Sequence, residues 1–202
     1  MSSAQELSSW FAPKGTTTAS HVPEVGSQAP TTALLPLDTG KPTIIAFLRH
    51  YGCPFAEKTY LRLRDCAKQH RDLDFVAISH SSNEATNTWL KALPQTGSEP
   101  GNLRVIVDDK LELYSAYGLG ASSFAHVLSP SSFYEVWRMG SQEGIWNRPT
   151  ESGSRWQTSG FFAIDSEGVV RWGRAAQSAD DVPDFEEAAE AVGGSSAVKA
   201  NL

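Results

Sequence analysis

Short apolar runs alternate with helical patterns through the first half of the chain. The run from Thr43 to Arg49 is apolar almost throughout, which is typical of a strand buried on both faces. Two similar runs predict strands over residues 73–80 and 103–107. The segments between and after these runs predict helices over residues 54–70, 83–93 and 109–117.

Residue types that favour helix ends mark several of these boundaries. Asn83 is expected to cap the helix that begins there, and Gly118 is well placed to end the next one. A last helix is predicted over residues 182–192, with Asp180 or Asp181 as its cap. The ends of the predicted helices therefore rest on specific polar or glycine residues.

The second half of the chain is less regular. Residues 122–139 predict a helix that is broken near Pro130, and residues 140–154 predict a long loop, a feature that is often functional. Residues 161–164 and 169–172 predict a β-hairpin. Strand–helix alternation followed by a hairpin and a closing helix predicts an α/β domain with a central mixed sheet and helices on both faces.

This order of elements predicts one domain with decorations. The domain spans residues 25–192 and contains an insertion at about residues 119–155. Residues 1–24 form an N-terminal extension, and residues 193–202 form a loose polar tail.

Composition and charge narrow the function classes. The 202 residues carry a formal net charge of −6 without a basic run, so we expect no nucleic-acid partner. No apolar stretch approaches the roughly 18 residues that a membrane span needs, so we expect no membrane partner. The N-terminus lacks a signal-peptide pattern, and two cysteines do not make a disulfide scaffold. We therefore expect a cytoplasmic protein in a reducing compartment.

The cysteine that follows the first predicted strand is the main candidate for chemistry. Cys53 stands between Gly52 and Pro54, and Pro54 suits the first position of a helix. Unpaired backbone N–H groups and the helix dipole at such a position lower the pKa of a thiol, and the thiolate is the reactive form. Arg49, just upstream, could add a positive charge; the alternative is a salt bridge at the end of the strand. The alternative is a buried cysteine that acts as a small hydrophobic residue.

Further residues extend this candidate site. His50 is a candidate proton shuttle, because the ordinary pKa of histidine lies near neutrality; the alternative is a partly exposed histidine at a strand end. Gln157 could donate a hydrogen bond to a bound thiol or oxyanion. For the candidates that lie late in the chain (Arg148, Trp156 and Gln157), the alternative is a plain surface loop. The candidate substrate-binding residues are Pro54, Phe55, Arg148, Trp156, Gln157 and Thr158.

The second cysteine is expected to take no part in the reaction. Cys66 follows Cys53 on the same predicted helix, and a rise of about 1.5 Å per residue separates them by roughly 20 Å. A disulfide needs Cα atoms within about 7 Å, so we expect no internal bridge and interpret Cys66 as a core residue. The histidines show no spacing typical of a zinc site, and we expect neither a metal nor a bound cofactor.

Four segments, taken in order, resemble the peroxiredoxin-like 2 group of the AhpC/TSA superfamily, whose fold is thioredoxin-like. Arg49 to Cys53 is similar to the Arg-His-aromatic-x-Cys signature of that group. In a departure from it, Ala56 stands where many relatives have a second cysteine. The four segments are Val25–Pro30, Phe47–Cys53, Val107–Leu119 and Trp156–Asp165.

A second resemblance is local. The turn from Cys53 to Thr59 is similar to the active-site turn of omega-class glutathione transferases. The rest of the chain lacks the all-helical second domain of that family. The match therefore indicates similar chemistry at one turn.

The resemblance implies an antioxidant, thiol-dependent oxidoreductase. Cys53 would be its single reactive cysteine, and an external thiol such as glutathione or thioredoxin would reduce it. The substrate would be a peroxide or a disulfide. One alternative is a cysteine- or glutathione-dependent enzyme that acts on an organic metabolite by thiol transfer, addition or isomerisation. Another is a non-catalytic scaffold with a thioredoxin fold, and a homodimer is left open.

Overall fold

The computed structural model describes residues 21–37, 40–121, 130–146 and 152–193, with the backbone alone at 130–133 and 135. Most of the predicted N-terminal extension and C-terminal tail lies outside this range. The strands are β1 (Thr43–Phe47), β2 (Asp74–Ser79), β3 (Leu103–Val107), β4 (Gly160–Ile164) and β5 (Val170–Ala175). The helices are α1 (Pro54–Gln69), α2 (Asn83–Ala92), α3 (Glu112–Ala116), α4 (Pro130–Glu143) and α5 (Phe185–Ala191).

The strands form one mixed sheet in the order β3-β2-β1-β4-β5. β1 pairs in parallel with β2, and β2 in parallel with β3. β4 lies antiparallel to both β1 and β5, so the late hairpin extends the sheet on its other side. The predicted mixed sheet is confirmed, and the central position of β1 explains its continuous apolar sequence.

Both faces of the sheet are covered, as predicted. Ile44 and Ala46 of β1 face a core shared with α1, α2 and α5. Ile45 and Phe47 point to the opposite face and pack with α3 and residues 29–37. This alternation is the two-residue period of a strand, here apolar on both sides. Among the helices of the described residues, none is long and apolar enough to cross a membrane.

Tyr114 of α3 fastens the carboxyl ends of β1 and β2 to each other. Its buried hydroxyl lies 2.6 Å from the carbonyl oxygen of Leu48 and 2.9 Å from that of Ile78. The ring packs edge-on against Phe47, with 5.0 Å between ring centroids. Because β1 and β2 are parallel, this contact fixes the edge of the sheet from which the chain continues toward Cys53.

Two predicted helix caps are wrong. Ser82, not Asn83, caps α2, because the Ser82 hydroxyl accepts the backbone N–H of Ala85 at 3.3 Å. α5 begins at Phe185 rather than at residue 182, and its cap is Asp184, not Asp180 or Asp181. The carboxylate of Asp181 is engaged by the guanidinium of Arg174 instead, at 2.9 Å for one of two contacts.

The helix predicted over residues 109–117 begins later, at Glu112. Asp108 is buried at the end of β3, and its carboxylate accepts the backbone N–H groups of Glu112, Leu113 and Tyr114 at 2.8–3.1 Å. A carboxylate in that place satisfies the free donors of the first turn, so it fixes the start of α3. Gly118 follows the helix at a φ of +67°, which confirms its predicted role.

The helix of the insertion ends four residues later than predicted. α4 runs without a break to Glu143, so the loop predicted over residues 140–154 begins only at Gly144. Residues 122–129 and 147–151 of the insertion lie outside the described range. The ammonium of Lys58 on α1 lies 2.6 Å from the carboxylate of Glu143, and this contact holds the end of α4 beside α1.

Candidate active site around Cys53

Cys53 occupies the N-cap position of α1. Its backbone is extended, at φ −88° and ψ 125°, and its N–H donates to the carbonyl of His50 at 3.0 Å. Its own carbonyl accepts the N–H of Ala56 at 3.0 Å, while Pro54 starts the helix. The Cys53 side chain makes no capping hydrogen bond. The predicted strand–turn–helix placement is confirmed, and the sulfur stands at the positive end of a long helix.

An apolar cover lies over Cys53, whose residue exposure is only 8%. Phe55 and Ala56 from the first turn of α1 form part of this cluster. Met139 of α4 and Ile145, just after α4, complete it from the insertion. The insertion therefore shields the thiol from solvent.

Arg49 is a buried cation at the end of β1. Its residue exposure is 4%, and Nη2 donates to the carbonyl of Arg155 at 2.9 Å. Nε and Nη1 have no hydrogen-bond partner within the described chain. None of the described carboxylates forms a salt bridge with Arg49. A buried guanidinium of this kind favours negative charge nearby.

Two histidines lie buried at the same edge of the sheet. Burial holds the pKa of His50 well below its usual 6.5, and the charges of Arg49, Arg155 and His80 lower it further. Burial also lowers the pKa of His80 to about 4, with Arg49 acting in the same direction. Both rings are therefore neutral near pH 7.

The sequence did not predict that His80 lies at this edge of the sheet, near the candidate site. Its Nε2 lies 3.1 Å from both the N–H and the carbonyl oxygen of Ser154, and its ring packs edge-on against Tyr114. A signal was present, because His50 directly follows the first predicted strand and His80 ends the second, and parallel neighbours end at the same edge. His80 thus holds the loop before β4 against the end of β2. This loop places the carbonyl of Arg155 beside Arg49.

The late-loop candidates have structural contacts of their own. Gln157 is buried, and its amide N–H groups donate to the carbonyls of Leu119 at 2.7 Å and Gly120 at 3.3 Å. Thr158 is half-buried and donates its backbone N–H to Gly120, while Trp156 is completely buried. Arg148 lies outside the described residues. The substrate-binding roles of these four residues stay predictions.

Cys66 differs from Cys53 in its surroundings. It is buried in the last turns of α1, and its sulfur lies 3.5 Å from the carbonyl oxygen of Phe185. Burial raises the pKa of the Cys66 thiol, and the negative charges of Glu186 and Asp184 raise it further. Both cysteines are free thiols; Cys53 occupies the N-cap position of α1, and Cys66 lies in its last turns.

Solved structures with this arrangement of elements align with most of the chain. A putative thiol:disulfide interchange protein DsbE from Chlorobium tepidum has 16% identity and a TM-score of 0.53, over 85% of this chain and 99% of that one. Peroxidoxin BcpB from Mycobacterium tuberculosis has 13% identity and a TM-score of 0.54, over 84% and 96%. A peroxiredoxin-like protein from Aquifex aeolicus has 14% identity and a TM-score of 0.54, over 85% and 86%. The chain has a thioredoxin fold.

The thioredoxin fold predicted from the sequence is thus confirmed. No protein-family model and no curated protein matches the chain. Likeness at this level of identity establishes a shared fold, and activity depends on the site that the fold carries. In this thioredoxin fold, that site is the turn from the central strand β1 into α1, with Cys53 at its end.

Proposed function

We propose that this chain is a thiol-dependent oxidoreductase that uses Cys53 as its single reactive thiol. The observation that carries the proposal is the position of Cys53, whose sulfur stands at the uncapped N-terminus of α1. The partial positive charge of a helix N-terminus stabilises a thiolate, which is the nucleophilic form. The peroxiredoxins and the thiol:disulfide interchange protein among the solved relatives support this class of chemistry.

A one-cysteine cycle suits this arrangement. The Cys53 thiolate attacks one oxygen of a peroxide and the O–O bond breaks. One proton is taken up from solvent, and the products are a Cys53 sulfenic acid and an alcohol or water. An external thiol such as glutathione then condenses with the sulfenic acid, which releases water and leaves a mixed disulfide. A second external thiol attacks the mixed disulfide, which restores Cys53 and releases the two external thiols joined as a disulfide. Cytoplasmic action with such a thiol is part of the proposal.

Arg49 is the residue that we assign to charge stabilisation in this cycle. It is buried, keeps two guanidinium nitrogens without a hydrogen-bond partner among the described residues, and leads into the turn that ends at Cys53. His50 and His80 are neutral in the same region, so neither supplies that charge near pH 7. A buried cation at this end of β1 stabilises negative charge that develops on the reacting groups.

The apolar cover favours a second candidate function. Met139 and Ile145 place hydrocarbon over the sulfur, which suits an organic substrate better than a hydrated one. In this version the same thiolate acts on an apolar electrophile, by thiol transfer or addition. A non-catalytic scaffold remains as the outcome in which Cys53 reacts with neither class.

Intact-mass spectrometry of the full chain distinguishes these functions. Under the proposal, stoichiometric peroxide adds one oxygen, and glutathione then converts that species into a mixed disulfide. Both adducts should form in Cys66→Ala and be absent from Cys53→Ser. Addition of an apolar electrophile without peroxide oxidation would support the second candidate. An inert Cys53 would support the scaffold.

Cys53 should be the only fast-reacting thiol of the native protein. Iodoacetamide should alkylate Cys53 at least about tenfold faster than Cys66, because burial and nearby carboxylates keep Cys66 protonated. Peptide mapping after timed alkylation gives both rates in one sample, and Cys66→Ala checks the assignment. Equal rates for the two thiols in folded protein would contradict the proposed role of Cys53.

Arg49→Met should slow alkylation of Cys53 by about tenfold, which corresponds to roughly 1.4 kcal/mol of lost charge stabilisation. Arg64→Met is a matched control, because Arg64 is also a buried arginine but lies on α1 and donates to the carbonyl of Pro94 at 2.7 Å. The control should lower the melting temperature without changing the Cys53 rate. If both variants lose stability and neither changes that rate, Arg49 has a structural role only.

A further inference from the structure

Three side chains with metal-binding atoms meet near the end of α1 that is remote from Cys53. Cys66 lies in the last turns of α1, His70 is the C-cap of that helix, and Glu186 lies in the first turn of α5. Their ligand atoms all lie within 4.8 Å of one another. The redox cycle proposed for Cys53 uses none of these groups.

The combination of a thiol, an imidazole and a carboxylate suits zinc. Zn²⁺ binds cysteine sulfur at about 2.3 Å, and histidine nitrogen and carboxylate oxygen at about 2.0–2.2 Å, usually in a tetrahedron. Donor atoms at these distances lie roughly 3.3–3.7 Å from one another. Cys66 and His70 are held in the interior, at 4% and 1% exposure, whereas the side chain of Glu186 is 44% exposed. The Glu186 carboxylate lies 2.8 Å from Nε2 of His70, so the half-exposed Glu186 side chain has to move slightly away from the ring to admit an ion between the donors.

The backbone already holds these donors together. Cys66 and His70 are four residues apart, the spacing that places two side chains on one face of a helix. Nε2 of His70 lies 2.8 Å from the Glu186 carboxylate, and the Cys66 sulfur lies 3.5 Å from the carbonyl oxygen of Phe185. Both contacts hold the start of α5 beside α1. Nδ1 of His70 is buried without a hydrogen-bond partner within the described residues, so Glu186 alone does not satisfy the ring.

The surroundings of the cluster favour a cation. An open pocket of about 290 Å³ borders it, and Cys66 and Glu186 form part of its wall. The wall of the pocket also contains the carboxylates of Asp65 and Asp184 and the guanidinium of Arg62. Asp65 is paired with Lys68 at 3.2 Å, which leaves the carboxylates of Asp184 and Glu186 beside the single guanidinium of Arg62. The pocket also gives solvent access to the fourth position of a tetrahedral ion.

We propose that Cys66, His70 and Glu186 bind one Zn²⁺ ion, with a water molecule from the pocket as the fourth ligand. Binding releases the proton of the Cys66 thiol to solvent, and the sulfur coordinates as a thiolate. The ion joins α1 to α5 and stabilises the folded chain by mass action. It also withdraws the second thiol of the chain from exchange with external disulfides.

Cobalt titration of the full chain tests this site. Reduced, chelator-treated protein should bind one Co²⁺ per chain with the absorption of a thiolate-to-cobalt charge transfer, and one equivalent of Zn²⁺ should displace it. Zn²⁺ should also raise the melting temperature. Cys66→Ser should remove the absorption, and Glu186→Gln should weaken binding by at least about tenfold. Cys53→Ser and Glu187→Gln, which changes an exposed neighbour on α5, should bind as the parent chain does.

Three results would overturn the proposal. The absorption could disappear in Cys53→Ser and persist in Cys66→Ser, which would place the metal on the redox turn. Glu186→Gln could bind as tightly as the parent, or the parent could fail to bind at micromolar Zn²⁺. Should Cys66→Ser fold poorly, His70→Gln and Glu186→Gln decide the matter by equilibrium dialysis. The peroxide reaction of Cys53 is measured separately on zinc-free protein, so the two proposals can fail independently.

Discussion

Cys53→Ser should abolish the peroxide-dependent oxidation of glutathione and leave only the rate measured without protein. A serine hydroxyl is not ionised near neutral pH, so it cannot replace the thiolate as a nucleophile even at a helix N-terminus. The substitution changes one atom in a cluster made with Phe55, Met139 and Ile145, so the fold should persist. Turnover is measured from loss of reduced glutathione, beside the melting temperature of each variant.

Cys66→Ser is the matched control for that experiment. It makes the same chemical change in the other buried cysteine of α1, remote from the β1–α1 turn. It should keep the parent rate of turnover in zinc-free protein. Activity that survives in Cys53→Ser and disappears in Cys66→Ser would show that Cys66 is the reactive thiol. It would contradict the role proposed for the N-terminus of α1.

Local patterns account for what the sequence predicted well. β1 is central in the sheet, and its continuous apolar run is the direct signature of that position. The start of α1 was readable because Gly52, Cys53 and Pro54 follow one another, and Pro54 is favourable only near a helix start. Strand, turn and helix here each depend on neighbours in the chain, so the position of Cys53 needed no long-range information.

The prediction of a helix cap failed where several residues could act as the cap. Asp180, Asp181 and Asp184 all precede the last helix, and each has the side chain of a cap. Pairing of Asp181 with Arg174 of β5 removes one of them, and Asp184 accepts the N–H of Glu186 at 2.9 Å. Only the packed structure chooses among equivalent local candidates.

The surroundings of both cysteines depend on distant parts of the chain. Met139 and Ile145 reach Cys53 from the insertion, and the carbonyl of Arg155 reaches Arg49 across 106 positions. Glu186 meets His70 across 116 positions, so no spacing rule for metal ligands could find that cluster. Periodicity reports which face of an element is buried, but not which distant element covers it.

Acidification should destabilise the folded chain, and His80 should cause much of the effect. Burial lowers its pKa to about 4 in the folded state, whereas the usual value of 6.5 applies when the chain unfolds. Between these two values the unfolded chain binds a proton that the folded chain excludes, so the free energy of unfolding falls as the pH falls. His80 alone should remove on the order of 3 kcal/mol between pH 7 and pH 4. The lowered pKa of His50 acts in the same direction.

His80→Gln should flatten this pH dependence. Glutamine keeps a polar side chain near the backbone of Ser154 but does not titrate, so the variant can be less stable at pH 7 and still lose less on acidification. Denaturant unfolding at pH 7 and pH 4.5 gives the change in free energy for each protein. His21→Gln, at an exposed position, should behave as the parent does. If the free energy of unfolding of His80→Gln keeps the full dependence on pH, burial of His80 is not the cause. Other titratable groups would then account for the loss of stability in acid.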